Sequence, residues 1–137
     1  MKEKRSILLV EDDDVDAMSV KRALKDLNVT NRLFHAENAE SALTFLKNTE
    51  NERPTIILLD INMPGMNGLE LLKILKQDPD LRHIPVIILT TSRSEMERYE
   101  SFFTGAAGYM VKPVEYQQFV EVMRTINLYW TLSELPE

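Results

Sequence analysis

Ile56-Ile-Leu-Leu-Asp60-Ile-Asn-Met-Pro64-Gly-Met-Asn-Gly68 is the stretch on which the fold turns. Four apolar residues run without alternation into one aspartate, and a loop rich in proline and glycine follows at once. A non-alternating apolar run reads as a strand buried on both faces, as in a parallel sheet. A carboxylate at the end of such a strand lies at the carboxyl edge, where open α/β sheets bind ligands. Taken alone, Asp60 serves equally well as a turn former that opens a loop. The ends of the other strands discriminate.

Upstream, Ile7-Leu-Leu-Val10 is a second run of this kind, and Glu11-Asp-Asp-Asp14 follows it. Ala17, Val20, Leu24 and Leu27 then recur at helical spacing. Acids at a helix start cap free N–H groups and complement the dipole, and Asp13, Asp14 and Asp16 read as doing that. Glu11 and Asp12 stand at the strand end itself. Arg32-Leu-Phe-His35 is a shorter, more polar strand suited to an edge, and Ala39, Ala42, Leu43 and Leu46 mark a second helix.

Downstream, Leu69, Leu71, Leu72, Ile74 and Leu75 form a third helix that ends near Asp78-Pro79. Pro85 opens the strand Val86-Ile-Ile-Leu89, which runs into Thr90-Thr91-Ser92. Ser94 and Glu97 have the spacing of a reciprocal capping box for a fourth helix, with Met96, Tyr99 and Phe103 on one face. Gly105 to Gly108 breaks that helix, and Tyr109-Met-Val111 is a fifth strand ending in Lys112-Pro113. Phe119, Met123, Ile126 and Trp130 mark a fifth helix. Strand and helix alternate five times, which predicts an α/β fold: a doubly wound, five-stranded parallel sheet with helices on both faces. In the flavodoxin-like order 2-1-3-4-5, Glu11, Asp12 and Asp60 share the crevice at the topological switch point.

Composition narrows the classes. A chain of 137 residues, 44% apolar and 28% charged, is one globular domain. A net charge of −6 speaks against a nucleic-acid partner. The absence of cysteine excludes disulfides, thiolate metal sites and thiol catalysis. No apolar segment has the length of a signal-peptide core or a membrane span, so the expected location is cytoplasmic, without membrane insertion. His35 and His83 are isolated, with no ligand spacing.

Three carboxylates in one crevice repel each other and need a cation to stay ionised. Oxygen-only donors suit a hard ion, Mg²⁺ above all. Lys112 adds a mobile positive charge and Thr90 a hydroxyl donor. A metal, a cation, a hydroxyl and an acceptor oxygen are the parts of phosphoryl transfer, with Asp60 as carboxylate nucleophile.

Four motifs stand in one order: Glu11-Asp12, Leu59-Asp60-Ile-Asn-Met-Pro64-Gly-Met-Asn-Gly68, Thr90-Thr91, and Tyr109-Met-Val-Lys112-Pro113. Asp60 lies 30 residues before Thr90, and Thr90 lies 22 before Lys112. In motifs and gaps the chain resembles response regulator receiver domains, the chemotaxis receiver among them, from about Ser6 to Asn127. The resemblance implies that Asp60 is the phosphoacceptor. It implies Mg²⁺ bound by Asp12, Asp60 and the backbone carbonyl of Asn62, with Glu11 ordering a metal-bound water. Thr90 and Lys112 would contact the phosphoryl group, Tyr109 would swing inward as Thr90 moves, and Thr91, Ser92 and Pro113 would flank them. Glu11 stands where Asp is frequent in the family, and Asn67 replaces a frequent loop Asp. Family members differ in phosphoryl lifetime through positions such as Asn62 and Ser92.

A stand-alone regulator is expected, with residues 6–127 as the receiver and 128–137 as a C-terminal tail. Its implied donor is a sensor histidine kinase or a histidine phosphotransfer protein, and its output is contact with a downstream protein. The only chemistry implied is its own phosphorylation and dephosphorylation. Leu89-Thr-Thr-Ser92, Asp78-Pro-Asp-Leu-Arg-His-Ile-Pro85 and an aromatic tail make it similar to single-domain regulators paired with phytochromes and hybrid sensor kinases. Tyr129, Trp130, Leu132 and Leu135 either fold back on the domain's core or extend a dimer or partner surface over the fourth helix, fifth strand and fifth helix. Two rivals remain: a receiver-like binding module that is never phosphorylated, and a metal-dependent phosphohydrolase. The dehalogenase-type hydrolases carry an acid two residues beyond the nucleophile, where this chain has Asn62.

Overall fold

The computed structural model describes residues 6–132, without the side chains of Thr131 and Leu132. Five strands and five helices alternate: β1 (Ile7–Val10), α1 (Asp14–Asp26), β2 (Leu33–Ala36), α2 (Ala39–Lys47), β3 (Ile56–Leu59), α3 (Gly68–Gln77), β4 (Val86–Thr90), α4 (Glu95–Thr104), β5 (Gly108–Val111) and α5 (Tyr116–Leu132). All strand pairs are parallel and the order is β2-β1-β3-β4-β5, as the pattern predicts. The edge strand β2 begins one residue later than expected, because Leu33 rather than Arg32 pairs with Ile7.

Each strand feeds two cores, which is why its apolar residues do not alternate. Leu8, Val10, Ile57, Leu59 and Ile88 pack against Ala42 and Leu46 of α2 and Leu71, Leu72 and Leu75 of α3. Ile7, Leu9, Ile56, Leu58 and Leu89 pack on the other face against Ala17, Val20 and Leu24 of α1 and Phe119, Met123, Ile126 and Trp130 of α5. Burial of each such side chain is worth about 1.5–3 kcal/mol. The sheet's centre is therefore stiff enough to hold polar groups at its edge.

The fourth helix differs from its neighbours. It buries only Ser101, and the face formed by Met96, Tyr99 and Phe103 points to solvent, with Phe103 81% exposed. Its cap is half of the expected box. Ser94 accepts from the N–H of Glu97, while the Glu97 carboxylate takes the Ser92 hydroxyl instead of reaching back. The reciprocal box sits at α3, between Asn67 and Glu70. The fifth helix passes Asn127 without a break and buries Trp130. Fold-back is thus the outcome for Trp130, while Tyr129 stays partly exposed. Leu135 and the Leu132 side chain lie outside the described residues.

Candidate phosphoryl-transfer site at the carboxyl edge of the sheet

β1 and β3 are paired neighbours, and the connections that leave their carboxyl ends run to opposite sides, so the residues just past each strand end face the crevice between those connections. The N–H of Asp60 donates to the Val10 carbonyl (3.1 Å) and that of Glu11 to the Ala36 carbonyl (3.0 Å), so both acids leave the sheet from anchored backbone. Gly68 brings α3 close beneath. A Cβ there would fall 2.6 Å from the Cα of Ile61 and nearer still to the Asp60 carbonyl oxygen.

Carboxylate oxygens of Glu11, Asp12 and Asp60 lie within 4.8 Å of one another. Glu11 and Asp60 are buried, while Asp12 is exposed at the mouth. Lys112, 8% exposed, enters from the end of β5. Its Nζ donates to Glu11 Oε1 at 2.5 Å and to Asp16 Oδ2 at 2.9 Å, and lies 3.7 Å from Asp60 Oδ2. Glu11, Asp12, Asp16 and Asp60 thus set four carboxylates against one ammonium. An all-oxygen donor set with excess negative charge fits a hard divalent cation.

The ionisations reflect that imbalance. Burial pushes the Glu11 carboxyl up to about 7; Lys112 opposes this and the Asp60 charge adds to it. Burial alone would lower the Lys112 pKa, but hydrogen bonds to Glu11 and Asp16 and the nearby Asp60 charge hold it above its ordinary value. Lys112 therefore remains an ammonium.

On the β4 side, fully buried Thr90 accepts at Oγ1 from the Asn62 side-chain amide (3.3 Å) and from the Ser92 N–H (3.2 Å). The Asn62 N–H donates to Asp60 Oδ1 (3.2 Å). Half-buried Tyr109 donates its hydroxyl to the Ser92 carbonyl (3.1 Å), joining β5 to the loop before α4. Thr91 is exposed beside them, and Pro113 is half-buried after Lys112.

Three participants were missed by sequence reasoning. Asp13 does cap α1, accepting from the Asp16 N–H (3.0 Å), but the Asp16 carboxylate turns inward to Lys112. The signal was present: Asp16 precedes buried Val20 by four residues, on the inward stripe of α1. His35 Nε2 donates to the Glu11 carbonyl (2.8 Å), a supporting role with no sequence signal. Glu97 joins Ser92 to α4, as described above.

Sheet order, edge position and side-chain set together define a class, and comparison agrees with it. Residues 7–124 match the response regulator receiver domain, and the chain belongs to that family. It is 35% identical to response regulator Rcp1 of Synechocystis sp. over 128 residues, covering 90% of this chain and 87% of Rcp1. The crystal structure of the phosphorylated cyanobacterial phytochrome response regulator RcpA superposes with a TM-score of 0.92 at 29% identity, over 98% of this chain and 100% of that one. For the Mn(2+)-bound form of Rcp1 the TM-score is 0.90 at 33% identity, over 97% and 99%. The chain is a receiver of two-component signalling. Among the described residues, no helix is long and apolar enough to cross a membrane.

Proposed function

We propose that Asp60 accepts a phosphoryl group from a histidine kinase or histidine phosphotransfer protein, and that the phosphorylated chain signals by protein contact from the cytoplasm. The observation that carries this reading is Lys112 Nζ, held by Glu11 and poised 3.7 Å from Asp60 Oδ2. Asp12, Asp60 and the Asn62 backbone carbonyl would hold Mg²⁺, with Glu11 acting through a water. When bound, the ion neutralises charge on the phosphoryl oxygens.

The chain's own residues do the rest. Asp60 supplies the attacking oxygen to phosphorus, and the donor's bond to phosphorus breaks with its electron pair leaving on the donor. Lys112 offers its remaining N–H to a phosphoryl oxygen, and Thr90 turns its hydroxyl from Asn62 toward another. That motion releases the Ser92 N–H, so Tyr109 and the loop before α4 sense the state of Asp60. Beyond this self-modification we assign no enzyme activity. Asn62 offers an amide already directed at Thr90 in place of the acid a dehalogenase-type hydrolase needs.

We assign residues 6–127 to the receiver unit and 128–137 to a tail. The exposed residues Met96, Tyr99 and Phe103 of α4, with Leu128 and Tyr129 of α5, favour a dimer or downstream protein on the face of α4, β5 and α5. Net charge disfavours nucleic acid there.

Intact mass after incubation with a small acyl phosphate tests the reading. One added phosphoryl group, dependent on Mg²⁺ and absent in Asp60→Asn, is expected. No adduct and no phosphate release would favour the binding module; rapid multiple-turnover release without an adduct would favour a hydrolase.

A further inference from the structure

An ammonium has three N–H donors, and in Lys112 two are spent on carboxylates other than that of Asp60. Glu11 supplies one from the β1 end and Asp16 the other from the first turn of α1. Held between them, Nζ stops 3.7 Å from Asp60 Oδ2, near enough to lend its field but too far for a hydrogen bond. A carboxylate oxygen that receives a short, charged hydrogen bond is a weaker nucleophile, since the lone pair needed for attack is engaged. A lysine with only Glu11 as its partner would have two free N–H groups, and Asp60, 3.7 Å away, is the carboxylate placed to take one.

We propose that Asp16 is a positioning residue for phosphoryl transfer: it acts through Lys112, holding the ammonium off Asp60 until a phosphoryl oxygen arrives to take the third N–H. The proposal rests on Asp60 being the acceptor and deepens that reading. Asp60 oxygen forms the new bond to phosphorus and the donor's bond breaks as before; Asp16 exchanges no proton. Asp16 is only partly exposed, and its carboxylate reaches Lys112 from the first turn of α1.

Two readouts test it in Asp16→Asn, Asp16→Ala and Asp16→Glu. The first needs no metal and no donor: hydrogen exchange of the Lys112 ammonium, followed by lysine-Nζ NMR. Exchange and the Nζ shift should change in the Asn and Ala variants, where Asp60 replaces Asp16 as partner, and stay near wild type in Glu, which keeps the charge. The second is the rate of adduct formation with a small acyl phosphate at saturating Mg²⁺. It should fall about tenfold in Ala, short of the roughly hundredfold that a misplacement of about 1 Å can cost, less in Asn, and recover in Glu. In a Lys112→Met background, Asp16→Ala should slow the reaction no further. A changed ammonium signal with an unchanged rate would overturn the proposal, leaving a contact that only ties α1 to β5. Unchanged exchange would overturn it as well. A wild type that takes up no phosphoryl group, with the NMR result intact, would instead mark failure of the receiver reading.

Discussion

Glu11 is a carboxylate whose ionisation opposes folding. Its pKa is near 4.5 in the unfolded chain and about 7 in the folded one, burial being the main cause. The native state therefore holds the proton more tightly, and stability falls as pH rises from about 4.5 through about 7. The loss is of order 3 kcal/mol. In metal-free protein, urea midpoints should drop between pH 5 and pH 8, and Glu11→Gln should flatten the profile. Mg²⁺ binding demands the ionised acid, so its affinity should strengthen over the same interval. A metal-free wild type as flat as Glu11→Gln would refute this account of the site.

At the scale of elements, α3 and α4 make opposite predictions. Alanine normally outranks glycine in a helix by up to about 1 kcal/mol. At Gly68 the sign should reverse, because the added Cβ meets backbone of Asp60 and Ile61, which cannot rotate away. Gly68→Ala should cost about 1–3 kcal/mol in a denaturant melt and slow adduct formation by shifting Asp60. A stabilised variant would show that this approach is not tight. The fourth helix buries only Ser101; besides its packing on α3 and β5, its N-terminus is tied by the Ser94 cap and the Ser92–Glu97 contact. Its amides should exchange with solvent faster than those of α3, which buries Leu71, Leu72 and Leu75. Hydrogen-exchange mass spectrometry would resolve the two helices, and equal protection would contradict this ranking. A weakly anchored α4 beside Tyr109 is the element most easily repositioned by events at Thr90.

For the whole molecule, Trp130 couples the end of α5 to the core shared with α1. Trp130→Ala should cost about 3–5 kcal/mol. Truncation after Asn127 removes the same side chain, so loss of a dimer on truncation would not by itself locate an interface. Light scattering on Tyr99→Ser/Phe103→Ser separates the two. If α4 forms the contact, these exposed changes dissociate the dimer while leaving the thermal midpoint nearly unchanged at dilutions where wild type is itself monomeric; an intact dimer would move the interface elsewhere.

Alternation of strand and helix, the double-sided strands and the four motifs were legible from residue order, because hydrophobic period and strand-end chemistry are local properties. Glu11, Asp12, Asp60, Thr90 and Lys112 converge on one edge because every strand is parallel, a consequence the pattern already contained. Tertiary structure alone decided the rest. Asp16 stands on the inward stripe of α1, but its partner is fixed only when the end of β5 brings Lys112, 96 residues away, against it. Glu97 reads as half of a capping box until the Ser92 hydroxyl offers a better partner. Met96, Tyr99 and Phe103 have the spacing of a core face, and only the placement of α4 at the sheet's margin turns them to solvent. Periodicity reports which residues share a face, whereas the direction of that face depends on what the neighbouring elements leave uncovered.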